Sequence, residues 1–444
     1  MTELERPTLF DLTDNDLLDK IASNIPVIQG ENNNKKIIFL SCISKDLPRK
    51  YREGLSIVVS SKSSAGKSTL IENCLKPFTK DVFPFTKITD SFFQRHFKDI
   101  SLNGKILHQE QIEKTNYSGQ VSFSIPKFQL SEGNTRYGLS ERDKDGKFTD
   151  TILQVTGFPI YITSTTNPDI EPQELNRITL LQTDESESQT ILVKKAILND
   201  CSINPDNYSN DNLDELTNLC EKYKEIAKEL KGIVLPFGNL INEKLPNTLE
   251  IRRDIKKIIN YTRVIAFLHQ KNRKKIRVIE HGFTDLYANT EKVYKYYIIA
   301  DLSDFRECLE IGKDVFSQTL NKVNNSTKEI IEIIKQEYAK NYEPINSADI
   351  LKIKNIKQNH ANELLRQAHT AGFLSRIKKG RENYYTPTKK ELDIIDVSSI
   401  DFTEKDFDKW YNEQYSDKKY ELVYPWIIGV RVWIVVKLNE ITNA

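Results

Sequence analysis

A lysine and a serine follow a run of small residues in the first quarter of the chain. The run reads Ser61-Lys62-Ser63-Ser64-Ala65-Gly66-Lys67-Ser68-Thr69. It follows an apolar run, Leu55 to Val59, and precedes a helix-forming run, Leu70 to Leu75. Small residues allow backbone N–H groups to close around phosphate oxygens at a helix N-terminus. The order of strand, small-residue loop and helix therefore predicts a P-loop that binds ATP with Mg²⁺.

Each position of this loop has an expected role. We expect Lys67 to reach the β- and γ-phosphates and the Ser68 hydroxyl to hold Mg²⁺. Ser61 stands where a P-loop usually begins with glycine, at a position that needs a tight turn more than a particular side chain. The residues expected to contact the nucleotide are Ser61, Ser63, Ser64, Ala65, Gly66, Lys67, Ser68 and Thr69.

A carboxylate that activates water is expected at the end of a neighbouring strand. The strand-forming run Lys105 to Leu107 leads into Glu110, which fits a general base, and Glu113 is the next candidate. Gln109 stands where an acid associated with the metal is expected. Its amide could hydrogen-bond a metal-bound water but adds no charge, which leaves metal affinity and turnover open.

A long β-hairpin is predicted over Thr135 to Val155. Its arms are rich in β-forming residues and flank Asp145-Gly146, a strong turn signal. The turn also carries Lys144 and Lys147. Beyond the hairpin, Phe158 to Thr163 predicts another buried strand, as expected for an α/β domain with a parallel sheet.

The motifs that follow this strand support a family resemblance. Thr166-Asn167-Pro168 and then Leu175-Asn176-Arg177 resemble the sensor 1 and arginine-finger segments of AAA+ ATPases of the MCM helicase branch. The hairpin resembles the pre-sensor 1 hairpin of that branch. The chain is also similar to the ATPase module in replication proteins of mobile genetic elements, often described as primase-helicases. The shared motifs are Ser63 to Ser68, Glu110, Thr165–Thr166, Glu174 to Arg177, Asp184 to Thr190 and Leu268 to Arg273.

The resemblance implies a three-layer α/β core with a helical lid, and roles for several residues. Asn167 would position the water that attacks ATP, and Arg177 would reach the γ-phosphate held by a neighbouring subunit. Lys144 and Lys147 would contact DNA in the pore of a ring, which we expect to be a hexamer. Arg252 or Arg253 would be the sensor 2 arginine that contacts the nucleotide from the lid, and Arg253, which precedes Asp254, is favoured.

The segment 326–390 predicts a winged-helix domain. Three helical runs precede a basic hairpin, Ser375 to Thr386, whose turn contains Gly380. Lys357 and Arg366 lie where a recognition helix would face DNA. The hairpin, or wing, would place four cations against phosphates: Arg376, Lys378, Lys379 and Arg381. Because winged helices also serve as protein contacts, that alternative stays open.

These patterns divide the chain into six segments. They are a polar N-terminal lead-in (1–36), an AAA+ α/β core (37–195), a helical lid (196–300), a connector (301–325), the winged-helix domain (326–390) and an aromatic tail (391–444). Strand signals are not evident between Gln189 and Ile279. The tail is expected to form strands that pack on the parent domain, or a subunit contact.

Composition restricts the remaining classes. A net charge of +1 over 444 residues gives no overall attraction for polyanions, so DNA contacts must be local. The five cysteines form no C-x-x-C pair, which argues against a zinc site or a disulfide framework. The most apolar run, Val423 to Val436, is too short to span a bilayer. We expect a cytoplasmic protein with no membrane partner.

The function predicted from the sequence is an ATP-dependent, DNA-handling ATPase, a ring-forming replicative helicase of a mobile element. Two alternatives remain. Gln109 suggests an ATP-switched, DNA-binding initiator or regulator with little turnover. A remodelling ATPase that acts on a protein partner would use the winged helix as an adaptor.

Overall fold

The computed structural model describes residues 9–26, 29–112, 120–121, 123, 125, 127–142, 148–167, 169–201, 211–242, 244–245, 251–280, 293–313, 315–316, 325–354, 356–380, 382–389, 400–416, 420–425 and 435–436. The chain divides into two compact units. The core unit comprises Met1–Ile241, Lys256–Ile311 and Ile400–Ala444. The C-terminal unit comprises Asn242–Ile255 and Gly312–Ser399.

The elements are numbered along the described chain. The helices are α1 (Leu17–Asn24), α2 (Asn32–Ile43), α3 (Lys67–Leu75), α4 (Asp90–His96), α5 (Lys127–Glu132), α6 (Pro172–Leu175), α7 (Glu187–Asp200), α8 (Asp211–Glu229), α9 (Gly238–Asn242), α10 (Ile251–Leu268), α11 (Leu302–Ile311), α12 (Asn325–Asn341), α13 (Ser347–Ile353), α14 (Gln358–Thr370) and α15 (Glu404–Tyr415). The strands are β1 (Ser56–Ser60), β2 (Val82–Phe85), β3 (Ile106–Gln109), β4 (Asn134–Arg142), β5 (Phe148–Thr156), β6 (Ile160–Thr165), β7 (Ile178–Leu181), β8 (Leu230–Val234), β9 (Lys275–Glu280), β10 (Val293–Ile299), β11 (Leu374–Lys379), β12 (Glu382–Pro387), β13 (Tyr420–Val423) and β14 (Val435–Val436).

Five parallel strands form the central sheet of the core unit. Their order is β2-β3-β6-β1-β7, and every residue of β1 and β6 is buried. Ile57 pairs with Ile162 on one side and with Thr179 on the other. Because all five strands run the same way, their carboxyl ends meet at one edge of the sheet. The mixed α/β class with a parallel sheet, predicted from the sequence, is confirmed.

Two helices precede this sheet, in the segment predicted as a polar lead-in. In α1, Leu17, Leu18 and Ile21 are fully buried. Their spacing places them on one helical face, where they pack next to α2. The lead-in is therefore helical from residue 17 rather than irregular, since this short apolar stripe is buried by neighbouring elements.

The predicted hairpin forms as β4 and β5, which pair antiparallel from Asn134↔Thr156 to Arg142↔Phe148. Gly157 follows β5 with φ +96°, and a Cβ at this position would lie 2.4 Å from the Leu102 backbone nitrogen. Only glycine fits this approach of the hairpin to the sheet. The hairpin tip with Lys144 and Lys147 lies outside the described residues.

A second sheet of the core unit has the order β14-β13-β9-β10-β8. Strands β8 and β9 fall within the segment where the sequence showed no strand signal, so that prediction was wrong. β8 is a short strand that pairs parallel to the distant β10, and such pairing is invisible to local patterns. In the described part of the tail, β13 is a strand that pairs with β9, as predicted. Trp410, Tyr411 and Tyr415 lie on the helix α15 instead, so the prediction of strands was wrong there. Trp426 and Trp433 lie outside the described residues.

The C-terminal unit contains α12, α13 and α14, followed by the antiparallel pair β11 and β12. Its core includes Ile330, Ile334, Leu364 and Phe373. Asn346 begins α13 with a capping box, in which its side chain and that of Asp349 exchange hydrogen bonds with backbone N–H groups. The order of three helices and a hairpin is the one that the sequence predicts.

None of the helices in the described parts of the chain is long and apolar enough to cross a bilayer.

Candidate functional site

The loop between β1 and α3 has an unusual backbone. Ser64 and Gly66 both have positive φ, 66° and 79°. Gly66 reaches this region at little cost, whereas Ser64 adopts it against the preference of an L-residue, by about 1 kcal/mol or more. Helix α3 begins at Lys67, so the loop ends on a helix N-terminus. Positive φ values just before a helix N-terminus are also found in loops that bind anions through their backbone N–H groups.

The Lys67 side chain folds back over the loop. Its Nζ donates to the carbonyl oxygens of Ser61 and Lys62 over 2.8 and 2.6 Å. The residue is only 7% exposed, and burial lowers the pKa of its ammonium group. The cation is therefore held by acceptors of the loop itself, within the turn.

Ser61 joins the loop to the segment after β7. Its hydroxyl accepts the Thr183 backbone N–H at 3.1 Å and lies 2.7 Å from Thr183 Oγ1. A glycine at this position could make neither contact. The sequence indicated only that serine could be tolerated here, and Thr183 was missed because it lies far along the chain.

Glu185 forms a second link to the loop. Its carboxylate accepts the Lys62 backbone N–H at 3.0 Å and pairs with Lys62 Nζ at 2.7 Å. Burial opposes the charge on Glu185, but these Lys62 contacts outweigh it and lower the pKa of the carboxyl. Gln189 also donates to the Gln29 carbonyl oxygen at 2.7 Å. The motif from Asp184 to Thr190 thus holds the loop and the segment before α2 together.

Glu110 lies just beyond the carboxyl end of β3 with an exposed side chain. Its backbone N–H donates to Phe85 on β2, and its carbonyl oxygen accepts the Ser164 hydroxyl on β6 at 2.6 Å. Neighbouring strands on both sides therefore fix the backbone that carries this carboxylate. Glu110 and Lys67 lie at the same edge of the sheet.

Gln109 faces the other way, since successive strand residues point to opposite faces. It is 2% exposed, and its Oε1 accepts the Tyr161 hydroxyl at 2.9 Å. Its Nε2 donates to the Gln111 carbonyl oxygen at 3.1 Å. Burial raises the pKa of Tyr161, which keeps the donor protonated. The Gln109 amide, which was expected beside the metal, thus points into the protein interior. The alternation of side chains along β3 could have indicated this from the sequence.

Asn167 follows the carboxyl end of β6, at the same edge as Lys67 and Glu110. Its backbone N–H donates to Thr165 Oγ1 at 3.1 Å, and its own Oδ1 accepts the Asp169 N–H at 2.9 Å. This is an Asx turn, which fixes the orientation of the side chain. Four sequence-predicted residues are brought to this edge: Lys67, Ser68, Glu110 and Asn167.

Arg177 is placed at the opposite edge of the sheet. It precedes β7, whose first residue Ile178 pairs with Ser56 at the start of β1. The loop begins after Ser60, so it lies about five residues, or roughly 16 Å, further along the strand direction. The guanidinium donates to the Gln173 carbonyl oxygen of α6. The structure therefore does not bring Arg177 to the loop of its own chain.

The motif from Leu268 to Arg273 is structural. Arg273 makes a buried ion pair of 2.6 Å with Asp304, and Tyr223 donates its hydroxyl to the Leu268 carbonyl oxygen. These contacts join α8, α10 and α11 within the core unit.

In the C-terminal unit, Arg376, Lys378 and Lys379 are exposed on β11. Lys357 is exposed at the start of α14, and Arg366 on that helix pairs with Glu363 at 2.8 Å. Like Lys144 and Lys147, Arg381, Glu113 and the side chain of Arg253 lie outside the described residues.

No family model matches the chain, and no curated protein matches it. Among solved structures, the chain is similar to one titled "SCCmec type IV Cch - active helicase", with 13% sequence identity and a TM-score of 0.30. That match covers 85% of this chain and 72% of the other.

Proposed function

We propose that the core unit binds and hydrolyses ATP with Mg²⁺, and that the protein is an AAA+-type ATPase that handles DNA. The observation that carries this proposal is the meeting of Lys67, Glu110 and Asn167 at the carboxyl edge of a parallel sheet. Ligands of open α/β sheets bind at this edge. β6 lies between β1, which leads into the loop, and β3, which leads into Glu110. This is the arrangement expected when the catalytic acid follows a different strand of the sheet.

The residues present fit a nucleotide and its metal. The loop amides and the N-terminus of α3 suit phosphate oxygens, and Lys67 can exchange its two carbonyl acceptors for them. Mg²⁺ needs few protein ligands beside phosphates and water, so the exposed Ser68 hydroxyl suffices. Glu110 would accept the proton of the attacking water. Gln109 does not fit the metal site, because its amide is bound to Tyr161 and Gln111.

Two features favour a DNA-handling motor with several subunits. Arg177 lies too far from its own loop to act there, which suits action on the nucleotide of a neighbour in a ring. The exposed cations lie on β11, which follows the three helices α12, α13 and α14. This arrangement suits a winged-helix domain that contacts DNA phosphates. A second candidate, an ATP-switched initiator or regulator with little turnover, is favoured by the neutral, buried side chain of Gln109.

Nucleotide binding and hydrolysis by two variants test this function. Lys67→Ala should lose hydrolysis while it still folds, and Glu110→Gln should keep ATP binding but lose hydrolysis. Lys76→Ala, which removes an exposed lysine after α3, is the matched control and should behave as the parent chain. Retained hydrolysis in Lys67→Ala would remove the assignment of residues 61–69 as a P-loop. Hydrolysis in Glu110→Gln would move the general base to Glu113.

Strand displacement on the same sample distinguishes the two candidates. Hydrolysis that DNA stimulates, together with unwinding, supports the motor. DNA binding without turnover supports the switch.

A further inference from the structure

A cavity of about 310 Å³ lies on one face of the second sheet of the core unit. This volume is at the lower end of the range for small-molecule sites. β9 and β10 form its base, and the end of α8 and the turn at Gln270 form its rim. The cavity lies away from the loop, Glu110 and Asn167, none of which lines it.

The two faces of this sheet differ in chemistry. Strand alternation places Ile276 on the face that packs against Phe407 and Tyr411 of α15. The opposite face presents Lys275 and Arg277 of β9 to the cavity. A sheet with one apolar, covered face needs no further cations for its stability. The open face of the sheet therefore adds positive charge to the wall of the cavity.

The lining combines positive charge with an apolar floor. Its ionic residues are Lys271, Lys275 and Arg277 against Glu229, and Arg277 also pairs with Glu421 at 2.7 Å. The Lys275 ammonium donates to Gln270 Oε1 and lies 6.0 Å from the centroid of the Tyr296 ring. The apolar residues of the lining are Ile298 at the base of the cavity and Ile226, Leu230 and Val423 around it.

Lys275 is the most unusual of these residues. Burial, and then the neighbouring charge of Lys271, lower the pKa of its ammonium group to about 8. Two cations that repel each other inside a cavity are stabilised by an anion between them. A flat apolar group would lie against Tyr296 and Ile298, where it is removed from water.

We propose that this cavity binds a small organic anion, whose carboxylate or phosphate lies at Lys271 and Lys275 and whose planar body lies on Tyr296 and Ile298. Such a site is separate from the proposed ATP site, and it can exist whether or not the chain hydrolyses ATP.

Labelling with pyridoxal 5′-phosphate tests the proposal on the full chain. The neutral Lys275 amine attacks the aldehyde carbon, water leaves as the C=N bond forms, and borohydride then adds hydride to carbon while solvent protonates nitrogen. Peptide mass spectrometry reads each lysine separately. We expect Lys275 to react roughly tenfold faster than Lys274, which precedes it in the chain, and pyridoxal without phosphate to label Lys275 roughly tenfold more slowly.

Competitors identify the anionic group. Phenyl phosphate or benzoate should protect Lys275, and the stronger of the two shows whether phosphate or carboxylate is preferred, whereas benzyl alcohol should not protect it. Lys271→Gln should reduce the ratio of the Lys275 labelling rates with and without the phosphate group. The control is Lys256→Gln, at a lysine whose side chain is 67% exposed, and it should leave this ratio unchanged. Equal labelling of Lys274 and Lys275, or equal rates with and without phosphate, would overturn the proposal. Equal protection by all three competitors would overturn its anionic part.

Discussion

The carboxylate of Asp81 forms an ion pair of 2.9 Å with the Lys45 ammonium group inside the core unit. Lys105 and Lys224 approach the same carboxylate, each at 3.2 Å. Lys45 and Asp81 are 3% and 8% exposed at their side chains. A single acid thus connects the start of β2 with α8 and with the residues after α2.

This cluster predicts a loss of stability in acid. Burial opposes the charge on Asp81, but the lysines outweigh it and lower the pKa of the carboxyl from 3.8 to about 2. Because the folded pKa is the lower one, the stabilisation is present above about pH 4 and is lost as pH falls towards 2. Asp81→Asn should lower the free energy of unfolding by about 2 kcal/mol at pH 7.

Urea unfolding at pH 7, 4 and 3 measures this difference. The gap between the parent chain and Asp81→Asn should narrow as the pH falls. Asp99→Asn, whose side chain is 82% exposed, is the control and should change stability by less than about 0.5 kcal/mol. A gap that stays constant over this range would show that Asp81 does not titrate as its contacts require.

Arg177 predicts activity that depends on assembly. Arg177→Ala should bind ATP and be nearly inactive alone, because an arginine that stabilises transition-state charge is worth about 10³–10⁵ in turnover. Mixing it with Lys67→Ala should restore some hydrolysis, since one type of junction then pairs an intact loop with an intact arginine. ATPase assays of such mixtures check this. In the control mixture, Lys76→Ala replaces Arg177→Ala, which shows how far Lys67→Ala subunits alone dilute the activity. Co-assembled but inactive mixtures would contradict action in trans.

The exposed cations of β11 predict DNA binding that depends on salt. Replacing Arg376, Lys378 and Lys379 with Ala should weaken binding about equally for all sequences. The slope of log K against log salt should fall by about 0.7–0.9 for each phosphate that the variant no longer neutralises. Lys340→Ala with Lys352→Ala, both exposed and paired with acids of their own helices, is the matched control. An unchanged slope would favour the protein-adaptor alternative.

Local patterns predicted the parts of the site that a continuous segment builds. The strand before Ser61, the loop and the helix from Lys67 have adjacent signals, and the two hairpin arms β4 and β5 follow from equally local ones. By contrast, Thr183 and Glu185 meet the loop from more than a hundred residues away, and no pattern near Ser61 indicates them. A local pattern gives the chemistry of a position but not its distant partners.

The same limit applies to the fold. β8 has no apolar alternation of its own and becomes a strand by pairing with β10. Gln109 is a different case, because strand alternation beside Glu110 already places the two side chains on opposite faces. The family pattern places an acid beside the metal at this position, whereas the geometry of the strand directs the Gln109 amide inward.

The bond between Ser61 and Thr183 has a mechanical consequence. Thr183 lies two residues beyond β7, and Arg177 lies one residue before it, so this strand connects the loop edge with the opposite edge over about 20 Å. A loop that begins with glycine would be hinged there through its backbone alone. Here the Ser61 hydroxyl also binds Thr183, so a movement of Ser61 can pull Thr183 with it. Because β7 is an extended strand, such a movement would also displace Arg177 at its other end. If a neighbouring subunit lies at that edge, as the proposed ring requires, binding at one loop would change the position of the arginine that faces it.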